Sequence, residues 1–213
     1  MEEYRGLGWY EYRFETPDLH AGNRVWLHFE VVYRDATIWI NGVEAGSHRN
    51  SGYTAFHVEV TPYLKAGENL LVVAVDNRNS DIALPKANSF DWADDGGIIR
   101  NVTMVVTGEA AINYVNLEAV PVLAVSEQSA PSGTIKGSIT LHEALNIDVN
   151  QVELELFLKQ EGLTVWSGQQ IAAYPCTSIP LPEICLDDVN LWHFDHPNLY
   201  EMTIRTIFDG CIH

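Results

Sequence analysis

Apolar and polar side chains alternate with period two along most of this chain. Val25, Leu27, Phe29 and Val31 fall on one face of an extended stretch, and Phe56, Val58 and Val60 on one face of another. Leu70 to Val75 is an almost unbroken apolar run, as expected of a strand covered on both faces. Val102 to Val106 is a further extended stretch, and the short polar Thr107-Gly108-Glu109 follows it. Strand patterns then resume over Tyr114–Val120, Thr134–Leu141, Val152–Leu158, Leu163–Ile171 and Leu199–Ile207, with turn residues at intervals of roughly ten. No stretch carries ten residues of 3.6-residue periodicity with caps, so long helices are not expected. The pattern predicts an all-β chain of two consecutive β-sandwiches, residues 1–108 and 109–213, the second immunoglobulin-like.

The strongest local signal lies between Thr37 and Phe56. Thr37-Ile38-Trp39-Ile40 reads as a strand, Asn41-Gly42 as its turn, and Val43 as the start of the returning strand. Asn-Gly between apolar runs favours a two-residue hairpin, because both turn positions need φ > 0. Trp39 starts this alternation and is expected in the interior. Gly46 to Gly52 forms a polar, flexible patch before the aromatic run from Tyr53 to Phe56. His48, Asn50 and Tyr53 fall in or beside it, and the glycines predict a tight connection rather than a separate binding site.

Composition narrows the functional classes. Twelve Lys and Arg stand against 29 Asp and Glu, for a net charge of −17. From residue 109 onward the only basic side chains are Lys136, Lys159 and Arg205. Phosphate backbones are bound by clustered cations, so nucleic acid is not an expected partner. The same acidity disfavours anionic membrane surfaces, and no apolar run approaches the ~20 residues of a membrane-spanning helix. The opening MEEYRGLG lacks the apolar core of a signal peptide. Cys176, Cys185 and Cys211 are odd in number and irregularly spaced, which suggests free thiols in a reducing compartment. A cytoplasmic location is therefore expected, with a periplasmic or secreted one open if the native chain begins further upstream.

Metal and nucleophile motifs are missing. The histidines are scattered, and none forms an H-E-x-x-H pair. His193 and His196 are three apart, but Pro197 argues against a helical ligand face. There is no G-x-S-x-G. No cofactor and no metal are expected.

Five segments, in order, carry a more specific signal: Gly8–Phe14, Ala36–Gly42, Gly46–Phe56, Gly67–Asn77 and Trp92–Val102. Together they resemble the N-terminal sugar-binding domain of glycoside hydrolase family 2, which includes β-galactosidases, β-glucuronidases and β-mannosidases. Leu191-Trp192-His193-Phe194-Asp195-His196-Pro197-Asn198-Leu199-Tyr200 resembles a motif of that family's second domain. There the Trp and Tyr would anchor a loop against the sandwich.

The resemblance implies a jelly-roll (galactose-binding-like) first sandwich, incomplete at its start, and an immunoglobulin-like second sandwich, incomplete at its end. It also implies a retaining β-glycosidase as parent protein, acting on a β-linked sugar. Two catalytic glutamates would sit on a (β/α)₈ barrel of roughly three hundred residues after the second sandwich. This chain would then hold no catalytic residue and be inactive alone. In the family the loop before Gly96-Gly97 reaches the barrel mouth, where an acidic side chain contacts sugar hydroxyls. Asp91, six residues before Gly97, matches that position, and Asp94 and Asp95 are alternatives. Trp92 and Phe90 flank it and would line a subsite or pack beneath the loop. Arg100 would tie the loop to a carboxylate or carbonyl. A free-standing carbohydrate-binding or structural module is the alternative reading. The sugar and linkage stay open, as does homo-oligomerisation.

Overall fold

A computed structural model of the chain describes residues 4–78, 96–108, 111–123, 129–142, 150–208 and 211–212. The described residues form strands, turns and one short 3₁₀ turn, Thr61–Tyr63. The chain divides into two compact units, Met1–Thr107 and Gly108–His213.

The first unit is built from β1 (Leu7–Glu15), β2 (Arg24–Phe29), β3 (Val32–Tyr33), β4 (Asp35–Ile40), β5 (Val43–His48), β6 (Phe56–Glu59), β7 (Glu68–Asp76), β8 (Gly97–Ile98) and β9 (Val102–Thr107). One sheet has the order β1-β7-β4-β5, another β6-β2-β9, and β3 pairs with β8. The core lies between the two larger sheets. Val25, Leu27, Phe29 and Val58 enter it from one side, and Ala36, Ile38, Ile40, Leu71, Val73 and Val75 from the other. Phe56 stacks on Phe29 at 4.8 Å. Along the edge strands β1 and β9 the sandwich opens into a groove of about 370 Å³, floored by Phe14, Phe29 and Met104 among others.

The hairpin forms as the sequence predicts. Asn41 and Gly42 take φ of 52° and 84° between β4 and β5, and the pairing carries a bulge at Ile38/Trp39. Trp39 is not in the interior. Ile38 and Ile40 are fully buried, so the period of two turns Trp39 to the opposite face. There it stacks on Trp9 at 5.7 Å, with β7 between the two strands. Opposite these tryptophans stand Val72 and Ala74, and Ala74 is buried although it belongs to the outer face. The Trp pair thus explains the apolar run of β7: one face meets the core, and the other lies beneath two indoles.

The second unit contains β10 (Ile112–Val122), β11 (Ser132–Leu141), β12 (Gln151–Gln160), β13 (Leu163–Ala173), β14 (Ser178–Pro180), β15 (Ile184–Leu186), β16 (Tyr200–Phe208) and β17 (Cys211–Ile212). One sheet runs β10-β11-β14 with β15 also on β11, and the other β13-β12-β16-β17. In β12 the alternation is regular: Val152, Leu154, Leu156 and Leu158 are buried and the intervening side chains are not. Ile139, Leu141, Ile179, Tyr174 and Phe208 complete the core. Glu161-Gly162, both at positive φ, turns β12 into β13. Cys176 and Cys185 are free thiols, and burial pushes the Cys176 thiol up.

Candidate functional site

The predicted substrate residues Asp91 and Trp92 lie outside the described residues, as do Phe90, Asp94 and Asp95. The two attachment points of their segment, residues 79–95, are described. Both sit at one end of the first sandwich. β7 ends at Asp76, which pairs with Asp35 at the start of β4, and β8 begins at Gly97, which pairs with Tyr33 of β3.

Asn77 holds the outgoing root. It is buried, and its side chain bridges to the start of the chain: Gly6 N donates to Oδ1 at 2.7 Å and Nδ2 donates to the Tyr4 carbonyl at 2.8 Å. The same amide lies against the returning root, since a Cβ on Gly96 would stand 2.6 Å from Nδ2. Gly97 has φ +92°, and a Cβ there would overlap the Tyr10 hydroxyl. These two glycines are therefore required by close approach, and Gly97 by backbone conformation as well.

A charged cluster surrounds these roots. Arg78 donates to the Asp76 carboxylate from its backbone N–H, Nε and Nη2 at 2.5–3.0 Å. Those bonds, with the nearby Arg34 charge, hold the Asp76 carboxyl below its usual range. Arg34 is buried, donates from Nη2 to the Arg78 carbonyl at 2.7 Å, and lies 3.7 Å from the Asp35 carboxylate. Asp35 in turn accepts from Asn50 N at 2.7 Å.

The connection from β5 to β6 reaches the same end, and each of its singled-out residues has a structural task. His48 stacks on Phe56 at 4.2 Å and lies 3.3 Å from the Thr54 hydroxyl. Burial lowers its pKa. Asn50 takes φ 58°, Gly52 is packed beneath the Tyr33 ring, and Tyr53 leans on Tyr33 at 5.3 Å. The expected tight connection is what these contacts describe. Arg100 is exposed, and its backbone N–H donates to the Val31 carbonyl at 3.4 Å; the loop its side chain is expected to tie lies outside the described residues.

Among the described residues no group of three His, Cys, Asp or Glu side chains is placed to hold a metal. His193 and His196 exchange backbone hydrogen bonds across a tight turn, so their three-residue spacing serves the backbone. In the family-type motif of the second unit, Tyr200 does anchor the loop: Asn190 N donates to its hydroxyl at 3.0 Å. Trp192 does not, since it is 62% exposed. Sequence reasoning misses the roles of Arg34 and Tyr10. The adjacent charges Arg34 and Asp35 inside the largely apolar Val31–Ile40 stretch are the available signal for Arg34.

Comparison with known proteins gives these features a common origin. Residues 1–108 match the family model for the glycosyl hydrolases family 2 sugar binding domain. A β-galactosidase of Thermoanaerobacter pseudethanolicus is 30% identical over 98% of this chain and 27% of its own length. A β-glucuronidase of Formosa agariphila is 29% identical over 94% of the chain and 22% of its own length. A putative β-galactosidase from Bacteroides fragilis superposes with a TM-score of 0.82 at 26% identity, covering 98% of this chain and 32% of that one. The chain thus spans about a quarter of the length of the first two relatives. It belongs to glycoside hydrolase family 2.

Proposed function

We propose that this chain is the non-catalytic front portion of a retaining β-glycosidase and that its residues 79–95 complete the sugar site of a following (β/α)₈ barrel. Two carboxylates, one nucleophile and one acid/base, would act from that barrel at about 5–5.5 Å separation. Asp91 would accept hydrogen bonds from sugar hydroxyls, as an ionised carboxylate does through its two oxygens. Trp92 would offer an aromatic face to the sugar's C–H surface. The observation that carries the reading is the family match over residues 1–108, together with relatives some four times this chain's length. The fixed roots at Asn77, Gly96 and Gly97 support it, because a loop that must place one carboxylate needs both ends held.

Two experiments test the reading. The isolated chain should turn over no nitrophenyl β-galactoside, β-glucuronide or β-mannoside above background, and clear turnover would refute the assignment. In the intact protein, losing a charged acceptor to a buried hydroxyl costs about 1.5–3 kcal/mol, or roughly 10- to 150-fold in kcat/KM for Asp91→Ala. A value within twofold of wild type would remove Asp91 from the site and direct attention to Asp94 and Asp95.

A further inference from the structure

We propose that an apolar surface on the second sandwich, built by Trp192 and Leu199 with Val120 and Leu123, is the seat of the folded polypeptide that follows His213 in the intact protein. This rests on the preceding reading only in requiring that the parent chain continue. The occupant is a body of the same polypeptide that presents a complementary apolar face.

The loop that carries this surface is pinned, so its side chains are held outward. Val189 N donates to the Pro131 carbonyl at 2.9 Å, and Asn190 donates to Tyr200 Oη and Gln160 Oε1. His193 and His196 exchange backbone bonds at 2.9 and 3.0 Å, and Asn198 Nδ2 donates to the Leu191 carbonyl at 2.9 Å. On this frame Trp192 is 62% exposed and Leu199 72%, and Leu123, just past β10, is 68% exposed. Large apolar side chains held in water by a satisfied backbone mark a binding face. The groove between them measures about 460 Å³, and none of its lining residues is charged, on a chain whose net charge is −17.

Register indicates which occupant is expected. β17 runs antiparallel to β16, with Ile212 opposite Ile207. Tyr200, which opens β16 and lines the groove, lies seven positions before Ile207. A strand continuing from Ile212 would therefore draw level with the groove seven residues on, roughly 23 Å further. The following polypeptide would be delivered to this end of the sandwich. A second copy fits less well. It would oppose two chains of charge −17 and bring each loop's Asp187, Asp188 and Asp195 towards their counterparts.

Hydroxyl-radical footprinting of the isolated chain and of the intact protein tests this. Ile171, 65% exposed near the far end of β13, serves as the reference. Trp192 and Leu199 should label at least fivefold more slowly, relative to Ile171, in the intact protein. Equal relative labelling in the two would overturn the proposal. So would concentration-dependent self-association of the isolated chain that protects Trp192, which would assign the face to a second copy. Trp192→Ser with Leu199→Ser should leave the isolated chain's Tm within about 1 °C, because neither side chain is buried there, and should lower the Tm of the intact protein by several degrees. An unchanged intact Tm would also count against the assignment. Footprinting does not depend on turnover. An inactive intact protein with a protected Trp192 would refute the glycosidase reading and leave this interface standing.

Discussion

Gly97→Ala is the substitution whose cost can best be worked from the structure. Two terms contribute. The backbone sits at φ +92°, in the region L-residues avoid, at a penalty of about 1–2 kcal/mol. The added Cβ would also overlap the Tyr10 hydroxyl, with the ring carbon behind it at 3.1 Å. Tyr10 is 40% exposed, so its ring can swing outward and the overlap need not distort the backbone. Displacing it should cost about 1 kcal/mol in lost packing. The total is roughly 2–3 kcal/mol. For a unit of this size that lowers Tm by roughly 8–24 °C.

The two terms separate in a double-mutant cycle. Tyr10→Phe removes the overlapping oxygen but leaves the φ penalty. The double variant, Tyr10→Phe with Gly97→Ala, should therefore be more stable than additivity predicts, by about 1 kcal/mol. Urea denaturation followed by fluorescence suits the measurement, because Trp9, Trp26 and Trp39 lie in the first unit. A Gly97→Ala chain within about 0.5 kcal/mol of wild type, the usual span of a neutral substitution, would refute both the backbone conformation and the contact. A costly but strictly additive pair would refute the contact alone.

Three further outcomes follow from the described contacts. Trp39→Ala should cost about 2 kcal/mol, less than the roughly 3–5 of a core tryptophan, and should couple to Trp9→Ala by about 0.5–1.5 kcal/mol; a denaturation midpoint lowered by the full core amount would return Trp39 to the interior. Glu59→Ala removes the carboxylate that pairs with the buried Arg24 at 2.6 and 3.0 Å, and breaking such a pair should destabilise by about 3 kcal/mol; a calorimetric loss under about 1 kcal/mol, the range of an exposed pair, would show that water reaches the guanidinium. His48 and His57 are both lowered from 6.5, first by burial, and His57 also by the neighbouring His28. The unfolded state therefore binds protons first, so this contribution to stability is complete above pH 6.5 and is lost as pH falls through the lowered values. Imidazole NMR titrations should place both below 6.5, and an upward shift of either would reverse the sign.

Much of the fold is legible in the sequence because its signals are local. Asn41-Gly42 dictates its own turn, and strict alternation in β12 names its inner face without reference to any other strand. Ile38-Trp39-Ile40 misleads for the converse reason. All three are apolar, so alternation does not say which face is inside until β7 and Trp9 are in place. The short strands β14 and β15 hold three residues each, too few to show a period. Asn77 belongs to a motif visible in the sequence, but its partners Tyr4 and Gly6 lie more than seventy residues away. Trp192 is expected against the sandwich because the motif names the residue and not the direction of its ring.

These differences share a physical origin, which bears on how the family motifs work. A polar side chain in a motif can satisfy distant backbone groups and so fix geometry. Asn41, for example, bonds the Tyr63 carbonyl, Asn69 Oδ1 and Leu70 N. Asn77 does the same beside residues 79–95, and Asn198 does so in the loop of Trp192, where the Asn190 amide donates instead to the Gln160 side chain. In each case the amide removes conformational freedom from a connection that would otherwise have to be ordered on binding, at about 1–2 kcal/mol per backbone residue fixed. On the proposals above, what the connection presents, a carboxylate or an indole, would meet its partner without that cost. On the proposed reading, replacing the amides should therefore weaken the contacts of side chains they never touch, with Asn77→Ala lowering kcat/KM of the intact protein and Asn198→Ala loosening the Trp192 face. Substituting Trp192 itself should leave the loop's backbone bonds intact.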